Sequence, residues 1–122
     1  MKRILFVDDS EVLLELYGML LDVERDRWHT SLAPDGETAL KLMRQNAFDV
    51  VASDMQMPGM SGIELLTEVR RLYPQTSRII ISGFTEEAEA ADALNCTHFF
   101  IPKPFDVKTL RDALSRIGSL DA

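Results

Sequence analysis

Residues 3–24 read RILFVDDSEVLLELYGMLLDVE, and the order of events along them decides the fold. Ile4-Leu5-Phe6-Val7 is apolar without alternation, the pattern of a strand buried on both faces. Two acids, Asp8 and Asp9, stop the run, and Ser10 offers an oxygen to cap a helix through about Glu24. Leu13, Leu16 and Leu20 fall on one face of that helix. A buried strand that passes through a polar loop into a helix is the first half of a βαβ unit.

The same unit recurs to either side of the turn signals that follow. Arg27–Ala33 sets Trp28, Thr30 and Leu32 against Arg27, His29 and Ser31, which predicts a half-exposed edge strand. Pro34-Asp35-Gly36 is a turn, and Glu37–Gln45 then carries Ala39, Leu40 and Met43 on one helical face. Asp49–Ser53 predicts a third strand, ended by Met57-Pro58-Gly59. Ser61 caps a helix with Ile63, Leu66 and Val69 in register and Pro74 beyond its end. Arg78–Ser82, with three isoleucines, predicts a strand buried on both faces. Thr85–Leu94 favours helix but has Leu94 as its one large apolar residue, so it is expected to be the least firmly anchored helix. Thr97–Ile101 is a fifth strand, and Asp106 caps a last helix with Val107, Leu110, Leu114 and Ile117 in register.

Five strand–helix units predict an α/β fold. Its form is a doubly wound (βα)₅ sandwich around a five-stranded parallel sheet in the order 2-1-3-4-5. That order puts the alternating strand at an edge and the apolar ones inside. At 122 residues the chain is long enough to bury about two thirds of its unfolded surface without a disulfide or metal staple, and no repeat or linker divides it. One domain over residues 1–122 is expected. Thirteen basic against twenty acidic residues leave a net charge of −7, which disfavours direct binding to nucleic acid. Cys96 stands alone, excluding an internal disulfide. No apolar run approaches a membrane span, and Asp8-Asp9 interrupts the N-terminal apolar stretch too early for a signal peptide. A soluble, cytoplasmic domain is expected.

In such a sheet the ligand crevice lies outside the C-terminal strand ends. Strand 1 delivers Asp8 and Asp9 there, strand 3 delivers Asp54, strand 4 delivers Ser82 and strand 5 leads to Lys103. An acid after a strand is ordinarily a turn former, a lone lysine a solvated surface group, and a lone serine a helix cap. Their coincidence on one edge carries the functional signal. Three converging carboxylates repel unless a cation compensates, and all-oxygen donors suit a hard divalent ion such as Mg²⁺. His29 and His98 both lie at predicted strands and are read as packing or surface residues. Trp28, Met43, Met55, Met57, Met60 and Cys96 are read as packing or loop residues.

The motifs FVDDS at 6–10, SDMQMPGMSG at 53–62, IISG at 80–83 and FFIPKPF at 99–105 resemble the receiver domain of two-component response regulators, across essentially the whole chain. The resemblance implies a flavodoxin-like fold and a phosphoacceptor at Asp54. It implies Mg²⁺, with Mn²⁺ as a substitute, held by Asp9, Asp54 and the backbone carbonyl of Gln56, with Asp8 acting mainly through a water. It implies a hydroxyl at Ser82, a lysine at Lys103 and a cis peptide at Lys103-Pro104. The phosphoryl donor would be a sensor histidine kinase or phosphotransfer protein. Phosphorylation would draw Ser82 inward and turn Phe100, an aromatic three residues before the lysine. The responding surface is the one built by Thr85–Leu94, the fifth strand and the last helix. Output would pass to a downstream protein, an output domain or a second copy in a homodimer; Glu86, Glu87, Glu89 and Asp92 offer an acidic face for docking. The chain would be a signalling domain rather than an enzyme in the ordinary sense. Gln56 could orient a hydrolytic water and Phe84 could restrict it, two effects of opposite sign on the lifetime of an acyl phosphate.

Three other readings compete. A flavin or nucleotide module would need amide donors after strand 1, where Asp8-Asp9 stand. An aspartyl phosphatase would space its strand-1 acids as Asp-x-Asp. A pseudo-receiver, a phosphorylation-independent interaction module, is opposed by the presence of all five polar positions.

Overall fold

The computed structural model describes residues 2–22, 26–83, 97–103 and 107–120, with residues 99, 107 and 117–120 described by their backbone alone. The predicted helix Thr85–Leu94, Phe84, Cys96, the Lys103-Pro104 peptide and the Asp106 cap lie outside the described residues. The elements in chain order are β1 (Lys2–Val7), α1 (Glu11–Asp22), β2 (Trp28–Ala33), α2 (Gly36–Gln45), β3 (Val50–Asp54), α3 (Gly62–Leu72), β4 (Ser77–Ser82), β5 (Phe99–Pro102) and α4 (Val107–Leu120). The strands form one parallel sheet in the expected order β2-β1-β3-β4-β5.

Each strand's alternation divides the core between the two faces of the sheet. Leu5 and Val7 of β1, Val51 of β3 and Ile80 of β4 pack with Leu40 and Met43 of α2 and Leu65, Leu66 and Val69 of α3. Ile4 and Phe6, Val50 and Ala52, and Ile79 and Ile81 face the other way, toward Leu14, Tyr17 and Leu21 of α1 and Leu110 and Leu114 of α4. All six residues of β4 are buried. Removing an Ile or Leu side chain of this kind from water contributes about 1.5–3 kcal/mol, so these two layers hold the helices to the sheet. Met43, Met55 and Met57 are buried in the first layer and Met60 packs against it, which agrees with their reading as packing residues.

Helix starts follow the local chemistry. Asp35 accepts the Thr38 N–H at 2.7 Å and begins α2. Ser61 and Glu64 form a reciprocal capping box at α3. Ser10 Oγ accepts the Leu13 N–H at 3.3 Å ahead of α1.

The face expected for α1 is corrected by the structure. Leu14, Tyr17 and Leu21 are the buried residues, Leu13 and Leu20 are partly buried beside them, and Leu16 is 41% exposed. Val12, Leu13, Leu14, Leu16, Met19, Leu20 and Leu21 spread apolar groups over an arc much broader than one stripe, with Glu11, Glu15 and Asp22 along the remaining face. Periodicity therefore cannot select the inward stripe, and the fit against Phe6 and Ile4 does. Strand bounds shift slightly: β3 begins at Val50 and includes Asp54, and β5 runs from Phe99 to Pro102.

Candidate metal and phosphoryl site

The ladder between β1 and β2 continues one residue past β1, because the Asp8 N–H donates to the Ala33 carbonyl at 3.1 Å. This holds the Asp8 side chain inside the molecule at 1% exposure, while Asp9 turns to solvent. Asp8 Oδ1 accepts the Ser10 N–H at 2.9 Å, and Oδ2 accepts the Tyr17 hydroxyl at 3.0 Å. Asp54 ends β3 in register with Ile81 of β4. Its main chain is fixed from two sides: Ser53 Oγ donates to the Asp54 carbonyl at 2.8 Å, and the Gly62 N–H donates to the Met55 carbonyl at 2.8 Å. A Cβ on Gly62 would overlap the Asp54 carbonyl oxygen, so only glycine lets α3 begin this close to the strand.

Lys103 follows β5 and is tied to β4 by its N–H, which donates to the Ser82 carbonyl at 2.8 Å. From there its ammonium reaches Asp54 Oδ1 at 3.0 Å and, more loosely, Asp8 Oδ2 at 3.4 Å. Oxygens of Asp8, Asp9 and Asp54 all lie within 4.8 Å of one another. Three carboxylates against one ammonium leave an excess of two negative charges when all are ionised, the charge that one divalent cation would balance. The donor set is hard oxygen, which suits Mg²⁺ or Mn²⁺.

The electrostatics carry the mark of that excess. Burial pushes the Asp54 carboxyl above the usual carboxylate range despite the Lys103 hydrogen bond and charge, and the negative charge of Asp8 pushes the same way. Burial opposes the Lys103 ammonium, but the hydrogen bond and charge of Asp54, with Asp8 behind them, hold it above the usual lysine value. Burial and the charge of Asp8 drive the Tyr17 phenol far upward, so it stays a neutral donor.

The structure thus brings Asp8, Asp9, Asp54 and Lys103 together. Ser82 ends β4, buried at 1% exposure and in register with Pro102. Gln56 is exposed in the loop two residues beyond Asp54. Phe100 lies opposite Ile80 on β5 and is 38% exposed. His29 and His98 are both exposed, away from the acids. An open recess lined by Lys2, Phe48, Asp49 and Tyr73 lies at the other end of the sheet and plays no part in this site. Sequence reading did not single out Tyr17. Its signal was available: a phenol nine residues after Asp8 within an aliphatic helix, where a buried hydroxyl needs a partner.

Comparison with known proteins bears on what this edge does. Residues 4–115 match the response regulator receiver domain family. The virulence sensor protein BvgS of Bordetella pertussis is 38% identical over 122 residues, covering 93% of this chain, which spans only 10% of that protein's length. Chemotaxis protein CheY-3 of Vibrio cholerae is 33% identical over 121 residues, covering 94% of this chain and 90% of that protein. The solved response regulator TrrA of Thermotoga maritima, in complex with Mg²⁺–BeF, is 26% identical with a TM-score of 0.83, covering 96% of this chain and 99% of that one. With four motifs, the strand order and the acidic edge all in agreement, this chain belongs to the response regulator receiver domain family of two-component systems.

Proposed function

We propose that this domain, over residues 1–122, accepts a phosphoryl group onto Asp54 in a Mg²⁺-dependent reaction. The donor is the phosphohistidine of a sensor histidine kinase or phosphotransfer protein. The observation that carries the reading is the Lys103 ammonium 3.0 Å from Asp54 Oδ1, inside a cluster of carboxylates that lacks enough positive charge of its own. An Asp54 oxygen attacks phosphorus in line, the O–P bond forms, the P–N bond breaks, and the donor imidazole leaves with the electron pair. Phosphoryl transfer of this kind depends mostly on positioning and charge neutralisation. Asp9, Asp54 and the Gln56 carbonyl would hold the cation, with Asp8 acting mainly through a water; Mn²⁺ would serve in its place. Such a cation would supply neutralisation of charge on the phosphoryl oxygens. Lys103 pairs with one of those oxygens, and Ser82 donates a hydrogen bond to another. The relative held with Mg²⁺–BeF supports the cation part of this reading.

Drawing Ser82 inward couples to Phe100, whose ring exchanges its present outer position for an inner one. The surface of Thr85–Leu94, β5 and α4 then changes and acts on a cytoplasmic downstream protein, an output domain or a second copy. The domain is a signalling switch that catalyses its own phosphotransfer and dephosphorylation. Incubation with a small acyl phosphate and Mg²⁺ should add one base-labile phosphoryl group, which intact-mass spectrometry detects and peptide mapping places at Asp54. Asp54→Asn should remove it, an amide being a far poorer nucleophile. Label that persists in Asp54→Asn, or that maps to a histidine, overturns the assignment. A parent chain that takes no label from either an acyl phosphate or a phosphohistidine donor would favour the phosphorylation-independent interaction module.

A further inference from the structure

Asp8 is the most deeply buried of the three acids, and both of its oxygens are held by fixed donors. Oδ1 takes the Ser10 N–H at 2.9 Å. Oδ2 takes the Tyr17 hydroxyl at 3.0 Å and has the Lys103 ammonium 3.4 Å away. A carboxylate oxygen has two lone pairs, so these two donors fill Oδ2, whereas Oδ1 keeps one for another partner. The Tyr17 hydroxyl is not free to swing aside. Its side chain is 1% exposed, and its ring stacks on Phe6 at 4.8 Å between centroids with 24° between planes. The anchor comes from the core layer between α1 and the sheet rather than from the loop that carries the acids.

We infer that Tyr17 is a positioning residue for the cation. Its hydroxyl locks the Asp8 carboxylate in one orientation, and that fixed carboxylate is what meets the ion or an ion-bound water. The inference rests on the proposed binding of a divalent cation by Asp8, Asp9 and Asp54. It adds that the geometry of this site is set from the hydrophobic core by a phenol. A partner that orients a ligating or water-bridging carboxylate typically changes metal affinity 10–100-fold when removed.

Tyr17→Phe deletes a single oxygen and keeps the ring against Phe6. Calorimetric Mg²⁺ titrations of the parent chain, Tyr17→Phe, Asp8→Ala and the double variant test the inference. Tyr17→Phe should weaken Mg²⁺ about 10-fold or more. In the Asp8→Ala background, with no carboxylate left to orient, the same change should cost less than about 2-fold. An equal loss in both backgrounds would mean general loosening of the core and overturn the inference, as would an undiminished affinity in Tyr17→Phe. Failure of the parent chain to bind Mg²⁺ overturns the site itself, and the role of Tyr17 with it. A second measurement does not depend on the folding of Tyr17→Phe. The chain has two tyrosines, so Tyr73→Phe leaves Tyr17 alone. Mg²⁺ should then still perturb the tyrosine near-ultraviolet absorbance, and a spectrum unchanged at saturating Mg²⁺ counts against the inference.

Discussion

Asp54 sits where its own charge is opposed by burial and by Asp8, and only partly relieved by Lys103. A carboxyl whose value is raised on folding binds more protons in the folded than in the unfolded chain. It therefore stabilises most below its unfolded value near 3.8, and that stability is lost as the pH rises through the higher folded value. In metal-free buffer, Asp54→Asn should accordingly melt above the parent chain at pH 7, with the gap closing below about pH 4, as followed by circular dichroism. Lys103 is raised as well, but for an ammonium that favours the charged form, so its contribution is present below the unfolded lysine value and is lost as the pH rises through the higher folded one. The residues of this charge balance were legible in the sequence because each of Asp8, Asp9, Asp54 and Lys103 follows a short apolar run that announces a strand. Tyr17 was missed because its sequence signal says that a buried helix phenol needs a partner, but not that the partner is a carboxylate nine residues earlier.

At the scale of elements, the strands were readable and the packing of helices was less so. Ile79-Ile80-Ile81 and Ile4-Leu5-Phe6-Val7 admit few other structures, and their unbroken apolar character also gives their central place in the sheet. Helix α1 has an apolar arc broader than the stripe it buries, so its inward stripe was set by the partner surface; Val12 at 75% and Met19 at 71% exposure are the groups left outside. The junction of β3 and α3 depends instead on the absence of a side chain. A Cβ at residue 62 would come within 2.9 Å of Met55 Cα and 3.0 Å of the Asp54 carbonyl carbon, both main-chain atoms that cannot rotate away. Gly62→Ala should cost about 1–3 kcal/mol, the range for overpacking, and should push the end of β3 out of place. Thermal melts check the first effect. The second should appear as slower labelling by an acyl phosphate even in the fraction that remains folded.

The whole molecule carries a net charge of −7 and gathers three carboxylates at one edge. A cation bound to the folded state alone should raise its stability by about 1.4 kcal/mol at ten times its dissociation constant. For a domain of this size that is a rise of about 4–8 °C in Tm. Asp9 is exposed, so Asp9→Asn should abolish the Mg²⁺-dependent rise while leaving the metal-free Tm equal or higher. A parent Tm that ignores Mg²⁺ would remove the cation from the site. The contacts that assemble this edge also have a temporal meaning. Lys103 meets Asp54 across 49 positions of chain and Asp8 across 95. Closing loops of that length comes at an entropic cost that is met before the contacts give anything back. A chain still emerging from the ribosome therefore presents Asp8, Asp9 and Asp54 before the lysine that meets them, and this edge is complete only once folding has carried residue 103 back to it.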